Sequence, residues 1–458
     1  MRPSTLLLTL AGLICYTRVA ATIIQVPAGQ PTIQDGINAA ANGDTVLVAP
    51  GRYRENVNFR AKGIVLASRF LLTGTTDDID STVIDGSSPV HPDTASCVTI
   101  AGDTSTRRDS SPALVGFTIT GGGGTRWDDE HGAGNFREGG GVIVQYSSPR
   151  ILFNHVTGNR VFDAQRDCGG GAIRVGDGNP LIANNVLSGN ATATYGGGIV
   201  LNYTGADVRN NIIAFDTTGS GYGAGGGIWT YADDALGRPK LIHNNTIVLN
   251  WTGPATDLAG GISVSSTGIS IRNNVLWGNR NRQVKGISSV NYCDVQGGYA
   301  GIGNIALDPA FRDLHHWYLA ESSPCVDAGD TAARFSDPED PARPGFARLP
   351  ALGTLRNDMG AYGGPGSHEL PASIIEAPGV AHRVAAEGTI VRGVLFLPAQ
   401  LIPAYYFLLS IHGRQVLDLR PGPNDVRHLA PGVYFVREQS AFSSQHTATN
   451  VRKVVVTR

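Results

Sequence analysis

Between residues 113 and 295 the apolar residues come in short bursts, three or four at a time. Leu181-Ile182-Ala183, Ile199-Val200-Leu201 and Thr246-Ile247-Val248-Leu249 are typical. Such bursts are too short for helices and rich in β-branched residues, so they read as strands. Each follows a glycine run, ends at an asparagine pair or follows such a pair. The glycine runs end at Gly141, Gly171, Gly198, Gly227 and Gly261, spaced 30, 27, 29 and 34 residues apart. The second marker is Asn154-His155, Asn184-Asn185, Asn210-Asn211, Asn244-Asn245 and Asn273-Asn274, at intervals of 30, 26, 34 and 29. Two markers keeping one period indicate a solenoid or a propeller. Each unit holds three short strands and no helix, which suits a parallel β-helix. A four-stranded propeller blade needs about 40–45 residues and comes second. Stacked Asn side chains can hydrogen-bond from coil to coil, and Asn tolerates the left-handed backbone of a sharp corner.

In the strand after each glycine run, the first and third positions face inward. The first column reads Val142, Ala172, Ile199, Ile228, Ile262, and the third reads Val144, Arg174, Leu201, Thr230, Val264. Arg174 breaks its column. A bulge or outward turn is expected there rather than a catalytic role, with Asp177 as the partner if it points in. Upstream, Thr32-Ile33-Gln34-Asp35 has capping-box character, with Ile33, Ile37 and Ala40 at helical spacing. A short helix over the open end would shield the solenoid core.

Composition agrees with many strands and tight turns: of 458 residues, 60 are Gly, 25 are Pro, 2 are Met and 16% are charged. A formal charge of −2 argues against a nucleic-acid partner, which needs a basic face. Residues 1–21 read as a signal peptide: Arg2, an apolar run from Leu6 to Tyr16, then Val19-Ala20-Ala21. No later segment reaches transmembrane length. Cys97, Cys168, Cys293 and Cys325 then remain, allowing three pairings. Cys293–Cys325 is the disulfide candidate because both lie in one terminal segment, and buried thiols are the alternative. No cysteine–histidine spacing suggests zinc.

The segment Ile33 to Phe59, with Asp44-Thr45-Val46-Leu47-Val48-Ala49-Pro50-Gly51-Arg52-Tyr53, resembles the opening of right-handed parallel β-helix repeat proteins related to the pectin-lyase fold. Val115-Gly116-Phe117-Thr118-Ile119-Thr120-Gly121-Gly122, Ser323-Pro324-Cys325-Val326-Asp327-Ala328-Gly329-Asp330 and Asp358-Met359-Gly360-Ala361-Tyr362-Gly363-Gly364 extend the likeness over residues 22–365. The expected fold is therefore all-β: a right-handed three-strand parallel β-helix with an N-terminal cap helix, then a small C-terminal β-sandwich. Residues 366–380 read as a linker. From 381 to 458 short alternating strands replace the period. Ile411-His412-Gly413-Arg414-Gln415-Val416, Leu429-Ala430-Pro431-Gly432-Val433-Tyr434-Phe435-Val436 and Arg452-Lys453-Val454-Val455-Val456 resemble the C-terminal sorting domain of the type IX secretion system. His412 stands where that family more often has a polar or acidic residue, and the usual Asn-Pro opening is missing. The resemblance implies the type IX machinery as a partner, and release or attachment at the outer cell surface.

Solenoids carry function in stacked loops. Here the loops before the glycine runs hold Arg126, Trp127, Asp128, Asp129, Glu130 and His131, then Phe162, Asp163, Arg166 and Asp167, then Tyr195, then Asp216 and Tyr222, then Trp251 and Asp257. Rings stack on sugars and carboxylates bind hydroxyls or Ca²⁺, so the expected partner is an extracellular polysaccharide, and an acidic one as likeness to the fold's lyases implies. Trp127, Tyr195, Tyr222 and Trp251 are the candidate binding residues. Asp128, Asp129 and Glu130 are candidate Ca²⁺ ligands. Asp163, Arg166 and Asp167 form the compact acid–base–acid group, the catalytic candidates if the chain is a lyase, as likeness to the fold's lyases implies. The rival reading is a non-catalytic surface adhesin or structural β-helix. Single loop residues are usually only solvated, and an Arg166 ion pair at the surface stabilises little.

Overall fold

The structure, a computed structural model, describes residues 21–105, 109–129, 131–286, 289–313, 315–371, 389–392, 394–397, 404–410, 414–419, 422–440 and 451–457. All but the last residue of the expected signal peptide (1–21), most of the linker (372–380), Glu130 and Ile411-His412-Gly413 lie outside them.

Three parallel sheets of ten, nine and eight strands share one axis. In the first, Ile151, Ile182, Val208, Ile242 and Ile271 pair in succession. In the second the succession is Ile119, Val156, Leu187, Ile213, Ile247, Leu276. In the third it is Val142, Ile173, Ile199, Ile228, Ile262. All three columns are buried in one core, so strand alternation puts one face inward and leaves the other for loops. This is the expected parallel β-helix. Glycines let the coils close up at the corner before the third sheet: a Cβ on Gly198 would stand 2.5 Å from the Gly227 carbonyl oxygen.

The Asn pairs divide their work. Asn184, Asn210, Asn244 and Asn273 adopt the left-handed backbone at φ between +51° and +57°. Their successors form a buried ladder: Asn154 donates to Asn185, Asn185 to Asn211, Asn211 to Asn245 and Asn245 to Asn274, each at 3.0–3.1 Å. The first pair is displaced by one against the expected alignment, since Phe153 takes the left-handed position ahead of Asn154. A second ladder, not anticipated, follows the second sheet. Asn159 donates to Asn190 at 3.0 Å, Asn190 to Asp216 at 2.9 Å, and Asn250 to Asn279 at 3.0 Å. Asp216 has no amide to hand on, and its backbone N–H carries the contact to Asn250 at 2.9 Å. Asp216→Asn supplies the missing donor, so urea unfolding should show a gain of about 1 kcal/mol. A midpoint that does not rise contradicts this.

The cap helix runs Ile33–Ala39. Thr32 accepts the Asp35 N–H at 3.0 Å, and both Glu55 carboxylate oxygens accept N–H groups of its first turn at 2.9 Å. Ile33 and Ile37 are fully buried over the first coil. At the other end the chain doubles back along the outer face of the second sheet. Trp317, Met359 and Tyr362 pack there on Val186, Ile212 and Val275, and the Asn210 amide holds the carbonyls of Ala361 and Gly363 at 3.0 and 2.7 Å.

Cys293 and Cys325 are not bridged. Cys293 points into the β-helix core and closes the first ladder as acceptor of the Asn274 amide, at 3.8 Å. Cys325 lies in the outer cluster beneath the doubled-back segment and donates to Asp294 at 3.2 Å. The two thiols thus belong to opposite faces of a sheet. Burial pushes the Cys293 thiol up to about 12 and the Asp294 carboxyl up to about 7.

C-terminal to residue 388 the strands form a five-stranded sheet and a two-stranded one. Ala404–Ser410 pairs antiparallel with Gln415–Leu419. Val451–Thr457 lies between Thr389–Arg392 and Gly432–Ser440. The segment Gly422–Asp425, which its glycine and proline would suggest is a turn, is a strand paired with Val394–Leu397. Pro423 is tolerated because a two-stranded sheet has only edges.

Candidate functional site

The outer face of the third sheet carries two columns of side chains. The first is Ile143, Arg174, Val200, Trp229, Ser263, and the second is Gln145, Gly176, Asn202, Tyr231, Ser265. Arg174 therefore pairs one step away from its expected column. Gly170, not Gly169, is level with Gly139, because Val142 pairs with Ile173 rather than Ala172. Arg174 turns outward as expected, but its partner is Glu138 rather than Asp177.

A hairpin, Gly124–Asp128 with Asn135–Glu138, folds over the first column and buries it. Arg174 is wholly inaccessible. Its Nε donates to Glu138 Oε2 at 3.0 Å, its Nη1 donates to Gln145 Oε1, and its guanidinium lies 3.5 Å over the Trp127 ring. Glu138 also accepts the Trp127 indole N–H at 2.9 Å and the Tyr195 hydroxyl at 2.6 Å. Burial first, then the Glu138 charge, drives the Tyr195 phenol well above its ordinary value. Gly176 makes room, because a Cβ there would come within 2.4 Å of Arg174 Nη1.

Over the second column the rings form one array. His131 stacks on Tyr203 at 3.7 Å between centroids, Tyr203 meets Tyr231 edge-on at 5.7 Å, and Tyr231 lies parallel to Trp229 at 5.5 Å. Tyr222 continues the array, 6.3 Å from Trp229 and 5.3 Å from Tyr195. Tyr231 is 42% exposed and Tyr222 57%. Trp229 and Tyr195 are buried and Tyr203 is half-buried, so Tyr222 and Tyr231 form the exposed edge of the array. His131 Nε2 lies 3.0 Å from Asp177, whose carboxylate is buried. The Tyr222 hydroxyl donates to Asp167 at 2.6 Å, and that bond, followed by burial, pushes the phenol up to about 12.

Of the four aromatic candidates, Trp127, Tyr195 and Tyr222 come together here. Trp251 does not: it packs with the cluster on the outer face of the second sheet, 4.4 Å from the Arg280 guanidinium. The acid–base–acid group is split. Asp163 is buried between Arg126 at 2.9 Å and Arg137 at 3.2 Å. The Gln165 backbone N–H, helped by these arginines, holds its carboxyl near 2. Arg166 turns to Asn135 and stands 3.7 Å from Asp163, while Asp167 faces Tyr222. Asp128 accepts from the Asn135 amide at 2.6 Å, and Asp129 accepts the His131 backbone N–H at 2.8 Å. Among the described residues no three His, Cys, Asp or Glu side chains are arranged to hold a metal.

Glu138, Asp177, Tyr203 and Tyr231 were not singled out for this site by the sequence. Their signal was positional: Glu138 precedes a glycine run as Tyr195 does, and Tyr203 and Tyr231 close successive strands after such runs.

A histidine–serine contact elsewhere does not make a second site. His155 Nε2 lies 3.1 Å from Ser188 Oγ, but Ser188 is fully buried and Asp80 is 4.0 Å from the far ring nitrogen. Burial pushes the His155 imidazole down to about 4. The unfolded chain protonates near the ordinary value of ~6.5, so the fold loses stability as pH falls from there towards 4. Between pH 7 and pH 4.5 this amounts to about 2–3 kcal/mol. Urea unfolding of His155→Gln should show a drop smaller by that amount, and an equal drop in both proteins contradicts the assignment.

No family model matches the chain, and no curated protein matches it.

Proposed function

We propose that the chain is an exported β-helix protein that holds extracellular polysaccharide along the outer face of its third sheet. The observation that supports it most is the row Tyr222, Trp229, Tyr231, Tyr203, with two rings largely exposed. Trp229 and Tyr231 share one strand, Tyr222 lies in the loop before it and Tyr203 follows the strand of the preceding coil, so the exposed Tyr222 and Tyr231 offer ring surface to an extended chain. Retention rather than cleavage fits the neighbouring groups. Asp163 is buried in ion pairs and held near 2, too weak a base for neutral pH. Arg166 is turned to Asn135 and Asp163.

Export rests on the resemblance of residues 1–21 to a signal peptide and of residues 381–458 to the type IX sorting domain. No described helix is long and apolar enough to cross a membrane. Likeness to the pectin-lyase-related β-helix family supports a sugar polymer as the partner.

Co-sedimentation with a panel of insoluble polysaccharides tests the reading. The intact protein should pellet with at least one polymer, and Tyr222→Ala/Tyr231→Ala should lower its apparent affinity about tenfold, as two stacking contacts of ~0.5–1.5 kcal/mol each imply. Binding that survives the double substitution overturns the site. A lyase is the second reading, favoured by the His131–Asp177 pair beside Tyr203. A rise in ultraviolet absorbance from unsaturated sugar products, lost in His131→Ala, would move the assignment there.

A further inference from the structure

We infer that the groove takes an uncharged glycan rather than a polyuronate. The inference rests on the binding reading above and names the chemistry of its ligand.

Among the described residues, each cation that reaches this face already engages a carboxylate, five of them sharing Asp93, Asp163 and Asp257. Arg174 is buried on Glu138. Arg126 and Arg137 each contact both Asp93 and Asp163, at 2.9–3.2 Å, and Arg166 is drawn to the same Asp163. Lys285, whose stem runs beside Gly223, pairs with Asp257 at 3.1 Å, and Arg282 also acts on that carboxylate. His131 is held by Asp177.

Among the described residues three carboxylates here have no cation on them: Asp167, Asp129 and Asp128, the last accepting from the Asn135 amide. The Asp167 partners are the hydroxyls of Tyr222 and Thr194. The Asp129 partners are N–H groups of its own loop, from His131 and Ala133. A polyuronate brings one negative charge per sugar. On this face those charges would lose hydration without gaining a cation, and would lie within a Debye length of ~8 Å of Asp167 or Asp129. Like charges set against each other exclude a partner more strongly than contact area attracts it. An uncharged chain meets no such cost. Its hydroxyls can donate to the Asp167 carboxylate and exchange hydrogen bonds with the phenols of Tyr203, Tyr222 and Tyr231, while its ring faces lie on the tyrosines. The expectation of an acidic polymer comes from the likeness to the fold's lyases, and the structure turns Arg166, the basic member of that candidate group, to Asn135 and Asp163.

The test is affinity electrophoresis of the full chain in gels cast with hydroxyethyl cellulose, xylan, polygalacturonate or alginate. Each is run at low and at 0.15 M salt, with Ca²⁺ and with chelator. The expected result is retardation by a neutral polymer, equal at both salt levels and indifferent to chelator, and lost in Tyr222→Ala/Tyr231→Ala. Retardation by the uronate gels alone, or as strongly as by the neutral ones, overturns the inference and leaves the groove reading standing. Retardation by none of them, or retardation that survives the double substitution, overturns the groove reading and the inference with it.

Discussion

Glu138→Ala should lower the unfolding free energy by about 3–5 kcal/mol, the cost of stripping one partner from a buried ion pair. Glu138 is the shared acceptor for the Arg174 guanidinium, the Trp127 indole and the Tyr195 hydroxyl. Its loss leaves a cation with no carboxylate in a space that is inaccessible to water. Glu138→Gln keeps an acceptor oxygen but not the charge, so its loss should be intermediate. The same substitutions should loosen the hairpin that covers the first outer column, and weaken polysaccharide retention through Tyr195 and Tyr222, which meet at 5.3 Å. Urea unfolding of both variants checks the order. A loss under ~1 kcal/mol for Glu138→Ala is the value for an exposed pair, and would mean that the hairpin does not close over Arg174.

The second large effect belongs to the fold. Asn211→Ala should cost about 3 kcal/mol or more. The Asn211 side-chain oxygen accepts two bonds from Asn185, and its amide donates to the Ile182 carbonyl and to Asn245, all between 2.8 and 3.0 Å. Removing them orphans several buried groups at ~1–3 kcal/mol each. By contrast, Asn184, one residue before a ladder position, is selected for its left-handed backbone at φ +57°. Asn184→Gly should change stability by less than ~1 kcal/mol, since glycine adopts that region without strain. Equal losses at the two positions would contradict the division of labour between members of the pairs.

These two residues also show how far the sequence could be read. The period and the doubled asparagines identify the coil, because a stacked solenoid needs the same corner at every turn. Register is harder. The glycine run at Gly169-Gly170-Gly171 has one glycine before the corner position and Ala172 in its last place, so counting from the last glycine misplaces Arg174 by one step. The second ladder is masked by its neighbours: Gly158, Gly189, Phe215, Leu249 and Gly278 share the left-handed backbone but not a residue type. In the site, loops that stack bring Trp127, Tyr195 and Tyr222 together as their spacing implies. Partner choice is not legible, because Asp163 is claimed by arginines 37 and 26 residues upstream in the chain. Glu138 hides for a related reason: its partners Trp127, Arg174 and Tyr195 lie 11, 36 and 57 residues away in the chain.

The claim that polysaccharide lies on the outer face of the third sheet is tested most directly by hydrogen exchange of the intact protein with and without a retained polymer. The account predicts slower exchange in the 124–138 hairpin, around Tyr195 and Tyr203, and across 220–233, with the outer face of the second sheet unchanged. Protection centred instead on Trp251 and Arg280, or on the first sheet, would contradict it.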